Sequence, residues 1–221
     1  MTRVISAVFL LGMLAVAAAS QTTTTTNNGD LQLWNDVQLN IPVGKKCEFF
    51  TKGTFRFGKN ISRLTDGRFS VGFIWKPTKA LTISPYYWFV DARNTAGLFR
   101  VENQLNLSAT YRRMFKGVGV SHRSTIERRF RFPQNSWRYR ALLGFDKDIS
   151  KRIIPTAKFF VTDEVFYDST LRRFSRNRFS VGVTKTINKH AAVDIYYMRQ
   201  SDSFTHPGDL NIIGMVWKFR I

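Results

Sequence analysis

The sequence predicts an all-β protein, an antiparallel transmembrane β-barrel. Three observations carry that reading: a period-two alternation running from Leu31 to the last residue, apolar faces rich in Phe, Trp and Tyr, and polar faces dense with arginine. The chain has 221 residues, with 34 Lys+Arg against 15 Asp+Glu and a formal net charge of +19. Hydrophobic residues make up 43% of it, too many for a disordered polycation. One cysteine, Cys47, excludes an internal disulfide framework and any multi-cysteine metal site.

Residues 1–20 read as a cleavable signal peptide. Arg3 supplies the positive end, Val4 to Val16 an apolar run, and Ala18-Ala19-Ser20 a small-residue cleavage site. The run is too short for a spanning helix, and the rest of the chain has no apolar stretch of 18 residues. Residues 21–30, with five consecutive threonines, read as a flexible leader or an extra strand. A single barrel domain is expected over residues 31–221.

Eleven strands follow from the alternation, at about 31–43, 47–57, 68–76, 81–91, 98–113, 118–131, 136–147, 152–167, 173–187, 190–201 and 209–221. Leu31, Leu33, Val37 and Leu39 oppose Gln32, Asp36, Gln38 and Asn40 in the first. Phe99, Val101, Leu105 and Leu107 oppose Arg100, Glu102, Gln104 and Asn106 in the fifth. The last strand places Ile213, Met215, Trp217, Phe219 and Ile221 on one face, like the terminal signal of outer-membrane barrels. Short turns are expected at one end (44–46, 77–80, 116–117, 148–151, 188–189). Longer loops are expected at the other (58–67, 92–97, 132–136, 168–172, 202–208). Because bacterial single-chain barrels have even strand counts, eleven raises a parity problem. The expectation is twelve strands, with residues 21–30 as the twelfth, and ten as the fallback.

A soluble sandwich also alternates, but it would place its charges outside. Here arginine on the lipid face would cost about 2–4 kcal/mol at mid-membrane, so the charged faces are assigned to the lumen.

The order Ser121-His122-Arg123-Ser124-Thr125-Ile126-Glu127-Arg128-Arg129-Phe130, then Trp137-Arg138-Tyr139-Arg140, Asp163-Glu164-Val165-Phe166-Tyr167-Asp168, Arg176-Asn177-Arg178 and Tyr196-Tyr197-Met198-Arg199-Gln200 resembles a bacterial family catalogued only as a domain of unknown function. That family is assigned to outer-membrane β-barrels. The resemblance implies a barrel and a bacterial outer-membrane address, and no activity.

Alternation turns sixteen basic residues inward: Lys52, Arg56, Arg68, Lys76, Arg100, Arg112, Arg123, Arg129, Arg131, Arg138, Arg140, Lys158, Arg176, Arg178, Lys218 and Arg220. Seven acids join them: Asp36, Glu48, Glu102, Glu127, Asp146, Glu164 and Asp194. The candidate anion-contacting set is Arg100, Arg123, Glu127, Arg129, Arg138, Arg140, Glu164, Arg176 and Arg178. Some of these would fill the barrel as Arg–Glu ladders. The surplus would concentrate anions in a confined space. The expected function is therefore a passive, anion-preferring pore or uptake channel. Its rivals are a closed structural or surface-binding barrel and, less favoured, a lipid-modifying enzyme.

No catalytic residues, cofactor or metal are assigned. A Ser121/His122 dyad fails because adjacent strand residues face opposite sides, and His190 and His206 read as solvated. Asp163 alternates outward, so a bulge or a rim position is expected there. Arg128, Arg172, Arg173 and Arg199 read as a basic rim for lipopolysaccharide phosphates. The expected partners are outer-membrane lipids, lipopolysaccharide and small anionic solutes. Nucleic acid is disfavoured by the signal segment and by charges that alternate across strands.

Overall fold

The structure is a computed structural model that describes residues 29–221 other than 95, 151, 203 and 206. Residues 1–20, expected to be a signal peptide, and residues 21–28 lie outside the described residues, as does His206. The described chain forms eleven strands: β1 (Asp30–Pro42), β2 (Cys47–Gly58), β3 (Arg63–Trp75), β4 (Leu81–Arg93), β5 (Phe99–Phe115), β6 (Val118–Phe130), β7 (Ser136–Asp148), β8 (Ala157–Asp168), β9 (Arg173–Asn188), β10 (Ala191–Ser201) and β11 (Leu210–Arg220). Each neighbour in sequence pairs antiparallel, and the sheet closes into a barrel, so every strand edge is hydrogen-bonded.

Closure corrects the expected strand count. β1 pairs parallel with β11, from Asp30 opposite Leu210 to Asn40 opposite Arg220, without a register shift. One parallel pair lets an odd number of strands close, so neither a twelfth strand nor a lost hairpin is required. The seam is held from inside by Trp34, Leu210 and Ile212, all buried, with Met198 against them. This explains why Ile212 to Trp217 reads as a continuous apolar run: Ile212 packs into the lumen cluster while Ile213, Met215 and Trp217 face out.

Connections 59–62, 94–98, 131–135, 169–172 and 202–209 form one rim, called upper here, and 43–46, 76–80, 116–117, 149–156 and 189–190 form the lower rim. The expected contrast in loop length is not found. β3 starts at Arg63 rather than 68, which shortens one upper loop, and β8 starts at Ala157 rather than 152, which lengthens one lower turn. The polar start of β3 resembled a loop because its Asp66 is matched inside the barrel. Lys116-Gly117 is one of two two-residue lower connections, with φ of 45° and 81°. Positive φ at both central residues is what a two-residue hairpin needs to follow strand twist.

Even-numbered side chains of β1–β5 and β7–β11, and odd-numbered ones of β6, point inward, apart from register shifts at the upper starts of β3 and β9, which turn Arg63 and Thr65, and Ser175, to the lumen. Outward side chains form an apolar belt that includes Phe69, Leu105, Leu107, Ile126 and Ile195, each about half exposed. Aromatic residues stand near both rims, with Trp137, Phe130 and Phe174 above and Trp75, Tyr111 and Phe145 below.

Two tyrosines in the lumen are accommodated by glycines. Tyr196 lies opposite Gly182 on one side and Gly214 on the other, and a Cβ on Gly214 would collide with the Tyr196 ring. Tyr86 lies opposite Gly72, where a Cβ would collide with the Tyr86 Cβ and the Pro85 carbonyl.

Candidate functional site in the arginine-lined lumen

The lumen contains two cavities. The upper has a volume of about 840 Å³ and the lower about 450 Å³. Five residues line both: Trp34, Arg56, Trp88, Arg140 and Arg178. They form the waist of the barrel.

Most of the inward charge is neutralised in place. Thirteen of the sixteen basic residues assigned inward carry an ion pair. The densest network joins β6, β7 and β8. Glu127, fully buried, accepts from Arg138 Nε at 2.5 Å and from Arg140 Nη1 at 2.8 Å. Glu164 Oε1 accepts from Arg140 Nη2 at 2.7 Å, Arg140 Nε at 3.0 Å and Arg123 Nη2 at 3.0 Å. Register explains the meeting: Glu127 lies opposite Arg138 on the next strand, and Arg140 stands one inward position further along.

Of the nine candidate residues, these five share that network. Arg129 sits apart, with both Glu102 oxygens at 2.6 and 2.8 Å and Asp168 at 3.4 Å. Arg176 donates to Asp202 at 2.6 Å. Arg100 is exposed near the upper rim and lines neither cavity, which corrects its assignment. Its parity is inward, but it lies one residue into β5, where the wall no longer encloses it.

Arg178 differs from all of these. It is 9% exposed, and its side-chain bond is Nε to Gln200 Oε1 at 2.9 Å. Among the described residues no carboxylate lies within ion-pair distance. Its guanidinium carbon stands 5.0 Å from the Trp34 ring centre and 4.8 Å from that of Phe166. Arg56 covers Trp34 more closely, at 3.5 Å. Phe166, 1% exposed, lies within cation–π reach of Arg138, Arg140, Arg176 and Arg178.

The sequence reading missed several members of the lumen. Asp66, Asp168 and Asp202 fell in segments read as loops, yet they neutralise Arg56 and Arg68, Arg129, and Arg176 respectively. The 202–209 connection folds over the upper cavity, where Thr205 and Pro207 line it. Asp202 anchors it by accepting from Phe204 N, Thr205 N and Arg176. Trp34 and Phe166 share parity with Gln32 and Glu164, so alternation alone could have placed them inside.

Two outward expectations change. Asp163 lies at no bulge, because the β8–β9 register shift falls between Phe166 and Tyr167. It faces outward near the middle of its strand and accepts from Asn177 Nδ2 at 2.8 Å, which matches its acceptor without bending the sheet. Arg199 is committed to Asp209 at 2.8 Å, which reduces the expected basic rim. Arg128 remains outside, stacked near Phe130 and Trp137.

His122 Nε2 lies 3.0 Å from Ser124 Oγ, which is 3.0 Å from the Tyr139 hydroxyl, all on the outer face. His190 Nδ1 is 2.8 Å from the Arg220 carbonyl at the lower rim.

These features define a class: a closed β-barrel, apolar outside and charged within. The chain belongs to the family described as "Protein of unknown function (DUF2490)", whose model matches residues 31–211. A search of curated proteins finds no match. Among solved structures, an anion-selective porin from Comamonas acidovorans is similar at 10% identity with a TM-score of 0.40. The match covers 80% of this chain, which spans about half (54%) of that protein. The fold therefore rests on the closed sheet itself, and function on the lumen.

Proposed function

We propose that this chain is an outer-membrane barrel whose lumen passes small anions in preference to cations, with the preference set at the waist. Three features support the membrane address: the outward apolar belt, the aromatics near both rims, and strands of 11–17 residues, which suffice to cross a bilayer when tilted. The observation that carries the preference is Arg178, a buried guanidinium without a carboxylate between two cavities whose other arginines are largely paired. A fixed positive charge in a narrow, low-dielectric passage attracts anions and raises the barrier for cations. Around it, the paired residues serve as lumen filling.

A second reading is favoured by the pairing itself. Trp34, Phe166 and the Arg140 network fill much of the waist, as in a closed barrel with a structural or surface-binding role. His122 faces the outer belt and, among the described residues, its ring bonds Ser124, so it supplies no support for an enzymatic reading. Lipopolysaccharide phosphates fit the upper basic residues Arg128, Arg172 and Arg173 by charge.

Conductance of the refolded protein in a planar bilayer, under a salt gradient, tests the reading. Small discrete steps with a reversal potential on the anion side support the passage. Silence from a barrel shown to be folded by its heat-modifiable gel mobility supports the closed reading instead.

A further inference from the structure

The waist holds more donors than acceptors. Arg178 uses only Nε, and its two terminal nitrogens make no hydrogen bond within the described protein, although the residue borders both cavities. Arg56, stacked on the same Trp34 ring, has a buried Nε without an acceptor, and its one contact to Asp66 is long at 3.4 Å. Trp88, which borders both cavities too, has a buried Nε1 without an acceptor.

The nearby carboxylates are drawn to other arginines: Asp66 serves Arg68 at 2.5 and 2.7 Å, Glu127 serves Arg138 and Arg140, and Glu164, which lies opposite Arg178 in register, bonds Arg140 and Arg123 through Oε1. Burying an uncompensated guanidinium is costly, and so is each unmatched buried donor. The two terminal nitrogens of Arg178 open onto the cavities, and the partner that best fits them carries negative charge, offers two acceptor atoms to a planar fork and is small enough for the waist. Chloride satisfies the first condition and fails the second.

We propose that the waist is a binding site for one oxyanion group, a carboxylate or a phosphate, held by the free edge of Arg178 with Arg56 beside it. This site deepens the passage reading and shares its lumen, but binding does not require conduction. On this assignment a permeating anion with such a group pauses at Arg178, and its occupancy restores the charge balance that the protein leaves open.

The test uses the refolded full-length barrel in detergent, with inorganic phosphate, acetate and chloride as probes at matched ionic strength. Equilibrium dialysis with labelled phosphate or acetate is expected to show saturable binding of one anion per barrel. Arg178→Gln should weaken it by about tenfold or more, the loss of a charge-assisted pair of hydrogen bonds. Arg178→Lys keeps the charge and loses the fork, so it should weaken binding several-fold. Tighter binding of phosphate than acetate identifies a phosphate ligand, and the reverse identifies a carboxylate. If Arg178→Gln does not fold, the wild-type isotherm and Arg178→Lys carry the test. Absence of saturable binding to the wild type, or binding untouched by Arg178→Lys, overturns the site. An anion-preferring current without saturable binding removes the site and leaves the passage; binding by a silent barrel does the opposite.

Discussion

Arg178 Nε meets Gln200 Oε1 at 2.9 Å, a neutral amide where neighbouring arginines meet carboxylates. Two residues earlier on the same strand, Arg176 meets the Asp202 carboxylate at 2.6 Å. β9 thus carries one neutralised arginine at the upper cavity and one uncompensated arginine at the waist. β8 sets Phe166 opposite Arg176 and Glu164 opposite Arg178, but Glu164 Oε1 is drawn to Arg140 and Arg123, while β10 and its loop give Arg176 a carboxylate and Arg178 an amide.

Gln200→Glu supplies the missing charge with almost no change in shape. The charged pair gained with Arg178 is offset by loss of the Gln200 Nε2 donation to the Gly208 carbonyl at 2.9 Å, so urea stability should change by about 1 kcal/mol or less. Phosphate binding should fall together with anion preference. A variant that binds phosphate like the wild type would show that Arg178 does not need the counter-charge.

Arg140 is shared by Glu127 and Glu164, and its loss should be structural first. Arg140→Met leaves two buried carboxylates with one arginine each, Arg138 and Arg123. The expected loss is about 3 kcal/mol, read as a lower urea midpoint. Adding Glu127→Gln and Glu164→Gln to the same chain should recover part of it. An unchanged midpoint in Arg140→Met would mean the network is not a stabilising unit.

Gly214→Ala tests the packing of the seam. The new Cβ meets the Tyr196 ring, so the ring must swing toward the lower cavity or β11 must shift. A loss of about 1–3 kcal/mol is expected. Tyr196→Ala in the same chain should relieve the clash, which denaturation of the single and double variants would show.

Asp163→Val probes the outer face. A carboxylate in the apolar belt, satisfied only by Asn177, is less favourable there than an aliphatic side chain. The variant should be more stable in bilayers by about 1 kcal/mol. Destabilisation would place Asp163 against something other than lipid.

Alternation made the network legible, because Glu127, Arg138, Arg140 and Glu164 show their inward parity in sequence and register brings them together. It did not show that Arg178 would be left without an ion pair, since that depends on Glu164, opposite it in register, turning to Arg140 and Arg123 and on Gln200 standing on the other side. Asp66 and Asp168 were misplaced because short polar strand ends resemble loops when their partners lie on other strands. Arg100 has the right parity, but its enclosure is set by how high its neighbours rise. The strand count failed on a rule of parity, and the parallel β1–β11 pair has no local signature beyond the doubly apolar run in β11.

The most direct test is the reversal potential under a salt gradient, measured side by side on the wild type and Arg178→Gln. A wild-type potential on the anion side is expected, with a collapse toward zero in the variant and the barrel still folded. Equal potentials in the two proteins would contradict it and move the source of any preference to the paired arginines or the rims.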